Sequence, residues 1–377
     1  MSDMFRRGRH ESRITNIAYR VQEEALESHW WQRSIARFCA LAAVTALLVC
    51  GFLYWYQGQE QGQVLAAERV LDPDRVLTVV PVPQPIDPPL LEEGEDMRSY
   101  TRFREKTVAL EVKEADLFRG FLILVNYNHI LPENYQPEEI VVTNDAVEGH
   151  TASGVVVTKA GLGYNRVAAE KLFEMTDYAW ETDGISHFLL QSGYRDFGFQ
   201  RALHQNKVQE YRNKGYGAAE AEKAAAFWVA RPRESEHNTG LAMDISSRSY
   251  PNLELPYAHD PNGAWLAKNC GRFGFVIRYP EDKSDITQIG FEPWHVRYVG
   301  HPHSVIMKES SWCLEEYLAF IKLVGGFTYR DGDGAIWQID YQPFGGKTIE
   351  VPEELPYSIS GDGEAGFIIT TLLESAE

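Results

Sequence analysis

Apolar and polar residues follow several different rhythms along this chain. Phe38 to Tyr56 is a run of 19 residues without a charge, close to the roughly 20 that a helix needs to cross a bilayer. Trp30 and Trp31 precede it and Tyr54, Trp55 and Tyr56 close it, as interfacial aromatic belts do. The pattern predicts a transmembrane helix over 38–56. A cleaved signal peptide fits poorly, because a polar segment of 37 residues comes first and no small-residue cleavage site follows. Residues 57–107 then read as a stalk. Pro81, Pro83, Pro85, Pro88 and Pro89 favour extended, semi-rigid backbone there, and the acidic cluster Glu92, Glu93, Glu95 and Asp96 follows.

From about Val108 the pattern becomes globular. Phe121–Asn126 is a short apolar run suited to a buried strand. Leu172, Met175 and Ala179 recur at helical spacing, which predicts a helix over Ala168–Tyr178. Phe188–Leu190 reads as a strand, the Ala-rich stretch Gln205–Phe227 as a helix, and Ala230–Glu236 as a loop. Further strands are expected near Ala242–Ile245, Phe275–Tyr279 and Trp294–Val299, with a helix at Leu314–Leu323. Helices and short strands without regular alternation point to an α+β domain over 108–325. After Gly325-Gly326 short apolar runs lie between turns such as Asp331-Gly332-Asp333-Gly334, so 326–377 reads as a small all-β module of about four strands. The Asp-Gly run lacks the acidic residue that ends a calcium loop, and a hairpin turn is the better reading.

Charge supplies the orientation. The seven Arg among residues 1–37 make that segment a cytoplasmic tail. Everything after Tyr56 is then extracellular, and it carries 29 basic against 49 acidic residues, a net charge of −20. So acidic an ectodomain argues against nucleic acid as a partner. A hydrophobic content of 44% is ample for a packed core. Cys39 and Cys50 belong to the apolar run, while Cys270 and Cys313 fall outside, where a disulfide could persist.

Two segments carry chemistry: Ser235-Glu236-His237-Asn238-Thr239-Gly240-Leu241-Ala242-Met243-Asp244-Ile245 and Phe291-Glu292-Pro293-Trp294-His295-Val296-Arg297-Tyr298. His237, Asp244 and His295 offer two imidazoles and a carboxylate, a set that suits zinc and leaves a fourth tetrahedral position for water. Gly240 lets a loop fold back onto a strand between the first two. Glu292 precedes His295 by three positions and would face away on a straight strand. A kink at Pro293 would bring it to the same side, as a base beside the metal. Among 11 histidines such spacings also arise by chance. His301 and His303 read as surface loop residues, and His150, His187 and His204 as structural.

These motifs resemble the VanY-type zinc D,D-carboxypeptidases, relatives of the zinc D,D-dipeptidases. Ser-x-His-x-x-Gly-x-Ala-x-Asp and Glu-x-Trp-His carry the resemblance, with Gly120–Asn126, Ser192-Gly193-Tyr194-Arg195, Phe273–Pro280 and Glu292–Gly300 adding to it. It spans roughly 108–323 and implies a peptidase domain of the D,D-carboxypeptidase/hedgehog type. It further implies Zn2+ on His237, Asp244 and His295, Glu292 as catalytic base, and Arg195 against a substrate carboxylate or developing oxyanion. Gln200 and Ser235 match substrate-binding positions. The implied substrates are peptidoglycan stem pentapeptides, cut at the terminal D-Ala. The family commonly has Pro-Gly where this chain has Pro232-Arg233, and that cation could narrow the rim of the site. The 326–377 segment lies outside the resemblance.

Two other functions fit parts of the pattern. An L,D-carboxypeptidase acting on tetrapeptide stems would share the metal site. A non-catalytic wall-binding protein with a structural zinc would not need Glu292 beside an open position. A serine peptidase of the penicillin-binding type is disfavoured, since the chain has no Ser-x-x-Lys.

Overall fold

The computed structural model describes residues 106–143, 155–157 and 161–375. The expected anchor at 38–56, the Arg-rich tail and nearly all of the stalk lie outside the described residues. Among those described, no helix is long and apolar enough to cross a membrane.

The strands in chain order are β1 (Thr107–Glu111), β2 (Ile140–Val142), β3 (Val155–Val157), β4 (Gly163–Asn165), β5 (Phe188–Ser192), β6 (Ala242–Ser247), β7 (Phe275–Tyr279) and β8 (Glu292–Tyr298). After them come β9 (Gly326–Arg330), β10 (Ile336–Pro343), β11 (Thr348–Pro352), β12 (Tyr357–Gly361) and β13 (Gly366–Glu374). The main helices are α1 (Arg166–Asp183), α2 (Phe197–Asn213), α3 (Ala218–Ala226), α4 (Pro261–Asn269), α5 (His303–Glu309) and α6 (Leu314–Val324). The chain is thus α+β, as the sequence pattern implies.

A five-stranded sheet of order β3-β5-β6-β8-β7 organises the domain, with β3 and β5 parallel and the other pairs antiparallel. Period-two alternation gives it two unlike faces. Met243 and Ile245 of β6 and Trp294, Val296 and Tyr298 of β8 enter one hydrophobic core. Against them α1 packs Ala168, Ala169, Leu172, Phe173, Met175 and Ala179 at helical spacing. Asn165 starts that helix by accepting the Ala168 N–H, and Gly184, left-handed at φ 66°, ends it. The alternate positions Asp244, His295 and Arg297 share the other face and are nonetheless buried. Buried polar groups need partners, and that face is where the site forms.

Several expectations change. Leu122 to Val125 are buried, but Phe121–Asn126 is an irregular extended segment and not a strand. Its backbone is satisfied elsewhere: Leu122 N–H donates to Ser360 Oγ and Leu124 N–H to the Asp362 carbonyl, while the Phe121 and Ile123 carbonyls accept from Arg297. An apolar run reports burial, and irregular chain can be buried when side chains take over the hydrogen bonding. The helix expected over Gln205–Phe227 is two helices, α2 and α3, broken where Gly215 takes φ +96° before Gly217. Cys270 and Cys313 are both buried and free. His301 is exposed and pairs with Asp331, but His303 is buried between Tyr317 and Thr370 rather than on a surface loop.

The residues after Gly325 form β9–β13, with β12-β13-β10-β9 as one sheet and β11 paired to β1. Asp331 makes the β9–β10 turn by accepting the N–H groups of Asp333 and Ala335, a hairpin rather than a cation loop. These strands share a core with the peptidase domain: Leu314, Leu318 and Ile321 of α6 pack with Leu122, Val276, Tyr329, Ile339 and Ile368. The core has no seam at residue 325. Ile339→Ala, at a position with no exposure, is therefore expected to cost about 2–5 kcal/mol and to lower the melting of the whole domain in a single transition. Two calorimetric transitions, of which only one moves, would show that β9–β13 fold on their own.

Candidate active site

Asp244 and His295 stand directly opposite each other on β6 and β8, and Ser192 stands opposite Asp244 on β5. Directly opposed side chains on one face lie within contact distance. His237 comes from the one-turn helix Glu236–Thr239 that leads into β6. Gly240 closes that turn at φ +73°, where a Cβ would strike the Ile140 side chain. The three residues are each 3% exposed, and one donor atom from each lies within 4.8 Å of the others. Asp244 Oδ2 is 3.3 Å from His237 Nε2, and Asp244 Oδ1 is 3.2 Å from His295 Nδ1.

Glu292 reaches the same place. Between Ile277↔Val296 and Tyr279↔Glu292 the register advances two positions on β7 and four on β8. The extra residues fall at Pro293–His295, which is the expected kink. It leaves Glu292 Oε2 3.5 Å from His295 Nδ1, on the same side.

The donor set fits a divalent cation. His237 Nδ1 faces the Gly193 carbonyl at 2.7 Å. This pairing holds the proton on Nδ1 and turns the Nε2 lone pair towards Asp244. Asp244 Oδ1 is buried without a hydrogen-bond partner. Burial, with Arg195 next, lowers the His237 pKa to about 4, which favours a neutral imidazole. Burial also pulls His295 down, but Asp244 and Glu236 outweigh it and lift the pKa to about 9. Burial pushes Glu292 up to about 8, with His295 opposing and Asp244 adding to the rise. Two carboxylates and two imidazoles thus meet where positive charge is wanted, and two N donors with one O donor suit zinc.

Arg195 is anchored by three acceptors: Nε donates to Ser192 Oγ at 2.9 Å, Nη1 to Gln200 Oε1 at 3.0 Å and Nη2 to Asp244 Oδ2 at 3.0 Å. Gln200 in turn donates to the Ala230 carbonyl. A cavity of roughly 470 Å³ opens onto this group, lined by His237, Asp244, His295, Glu292, Arg195 and Gln200, with Phe199, Trp228 and Leu253 giving it apolar walls. Ser235, expected near the substrate, is buried and does not line the cavity. Arg233 does not line it either. It holds φ +75° where glycine would be relaxed, and its guanidinium reaches back to the Leu131 carbonyl and Glu133. The rim is not narrowed by that cation.

The sequence reading missed residues that support the site. Ser192 is one, three positions before Arg195. Tyr279 is another, its ring centroid 4.8 Å from that of His295. Glu236 is buried beside His237 and accepts from both Arg278 and Arg297. The available signal was an arginine inside each of two apolar strand segments, since a buried guanidinium requires a carboxylate partner.

Comparison with known proteins agrees with this geometry. The family model described as VanY, D-alanyl-D-alanine carboxypeptidase, matches residues 163–301, which include His237, Asp244, Glu292 and His295. A D-alanyl-D-alanine carboxypeptidase of Enterococcus faecium is 35% identical over 268 residues, covering 71% of this chain and 80% of that protein. The bifunctional D-Ala-D-Ala dipeptidase and D-Ala-D-Ala carboxypeptidase VanXYC of Enterococcus gallinarum is 31% identical over 199 residues, 52% of this chain and 92% of that one. Among solved structures, the vancomycin resistance D,D-dipeptidase VanXYg in complex with a D-Ala-D-Ala phosphinate analog superposes with a TM-score of 0.58 at 29% identity, over 71% of this chain and 98% of that chain. By its motifs, its fold and these relatives, the chain belongs to the VanY family of D-alanyl-D-alanine carboxypeptidases.

Proposed function

We propose that this protein is a zinc-dependent D-alanyl-D-alanine carboxypeptidase that removes the terminal D-Ala from peptidoglycan stem pentapeptides. The observation that carries this reading is the convergence of His237, Asp244, His295 and Glu292 in the lining of one cavity. Relatives that bear the same activity in their names support it. Zinc held by His237, Asp244 and His295 would supply Lewis acidity to polarise the scissile carbonyl and to lower the pKa of water.

The remaining work falls to the protein's own groups. Ionised Glu292 accepts a proton as the water oxygen bonds to the carbonyl carbon, and returns it to the D-Ala nitrogen as the C–N bond breaks. Burial raises the Glu292 carboxyl to about 8 in the metal-free site, and a bound cation beside it would favour the ionised form that the base needs. Arg195, fixed by Ser192, Gln200 and Asp244, presents a permanent cation at the cavity wall for a substrate carboxylate or the developing oxyanion. Gln200 lies close enough to help orient the substrate. Outside this domain, we read residues 38–56 as a single membrane anchor with the N-terminus cytoplasmic and the catalytic domain extracellular, facing the wall.

His237→Ala, Asp244→Ala and His295→Ala are each expected to lose bound zinc, whereas Glu292→Gln keeps zinc and loses turnover. Metal analysis beside a D-Ala release assay distinguishes these outcomes, and a Glu292→Gln protein without zinc would make Glu292 a ligand. For topology, protease added to protoplasts is expected to release a fragment of roughly residues 60–377, because on this reading the Pro-rich segment would lie outside the membrane, open to cleavage. Cleavage confined to the first 37 residues would reverse the orientation.

A further inference from the structure

Glu236 lies between two fully buried arginines and is itself fully buried. Its Oε1 accepts from Arg278 Nε at 2.8 Å and from Arg297 Nη1 at 2.5 Å. The remaining arginine donors have partners of their own. Arg278 donates to both oxygens of Glu315, and Arg297 Nη2 donates to the Phe121 and Ile123 carbonyls. Asn126 completes the set by donating to Glu315 Oε1. Two arginines and two glutamates balance, so Glu236 meets the needs of the ion network through Oε1 alone.

The other oxygen is turned elsewhere. Glu236 Oε2 is buried with no hydrogen-bond partner, and it lies 3.5 Å from His295 Nε2, a buried atom that has none either. The opposite edge of the same imidazole carries Nδ1, which faces Asp244 and Glu292. An unsatisfied buried donor or acceptor costs about 1–3 kcal/mol, and these two atoms can satisfy each other by a small ring rotation. We propose that Glu236 is a positioning residue of the metal centre. Its Oε2 takes the Nε2–H of His295, fixes the tautomer, and holds the Nδ1 lone pair on the ligand side, while Arg278, Arg297 and Glu315 keep the carboxylate itself from turning. The two histidines are then oriented differently, His237 by a backbone carbonyl on Nδ1 and His295 by a carboxylate on Nε2. This inference rests on the metal-centre reading above.

Two variants and one spectrum test it. Glu236→Gln removes the charge. Glu236→Asp keeps the charge between the arginines but withdraws the carboxylate from His295 by one methylene. Both are expected to weaken zinc binding about 10- to 100-fold in competition with a chromophoric chelator, and to shift the visible bands of the cobalt-substituted protein. A role confined to the ion network would lower the melting temperature of Glu236→Gln and leave zinc affinity untouched in Glu236→Asp. In the zinc-loaded wild-type protein, long-range 1H–15N NMR is expected to show His295 protonated at Nε2, a reading that needs no variant to fold. Wild-type zinc affinity in folded Glu236→Asp, or a His295 without a proton on Nε2, overturns the proposal. A wild-type protein that takes up no zinc overturns the metal reading and this proposal together.

Discussion

The register between β6 and β8 is the constraint on which the site depends. It sets Asp244 against His295, and a one-residue slip of either strand would turn its own member of that pair from the polar face into the core that Met243, Ile245, Val296 and α1 now fill. Those apolar contacts make the slip prohibitive, so the hydrophobic face of the sheet fixes the geometry of its polar face. The excess residues around Pro293 then adjust one position, bringing Glu292 back beside His295 without disturbing the pairing of Val296 and Arg297.

Burying so much charge on one face has a physical cost that the rest of the fold answers. Asp244, His237 and His295 meet in a volume that leaves Asp244 Oδ1 without a hydrogen bond, an arrangement that is unfavourable unless a cation supplies the missing charge. Behind them, Arg278 and Arg297 would be untenable without Glu236 and Glu315. Glu315 belongs to α6, whose apolar face packs on Tyr329 and Ile339. The network therefore ties the rear of the site to the segment after residue 325, which lies outside the family model's match.

Much of this was legible in the sequence, and the reasons for the gaps are specific. The meeting of His237, Asp244, His295 and Glu292 could be read because metal chemistry restricts residue type and spacing so tightly. The strands β5 to β8 and helix α1 could be read from their periodicity. Phe121–Asn126 could not, because an apolar run carries no signature of whether its backbone bonds to a strand or to Arg297 and Ser360. His303 looked like its neighbour His301, since its partners Tyr317 and Thr370 lie far along the chain. Arg233 carries no sequence signal for its partners: its guanidinium reaches the Leu131 carbonyl and Glu133, distant in the chain, and it does not line the cavity. Ser235, expected near the substrate from its motif, is buried and is not among the residues that line the cavity.

The most direct test of the account is mass spectrometry of a defined stem pentapeptide incubated with the zinc-loaded protein. Zinc hydrolysis activates water and forms no acyl-enzyme, whereas serine D,D-peptidases are trapped covalently by β-lactams. The account predicts loss of one D-Ala to give the tetrapeptide, in the presence of saturating penicillin, abolished by 1,10-phenanthroline and restored by added zinc. An unchanged pentapeptide with cleavage only of the tetrapeptide stem, a stable penicillin adduct, or full activity in the metal-free protein would contradict it.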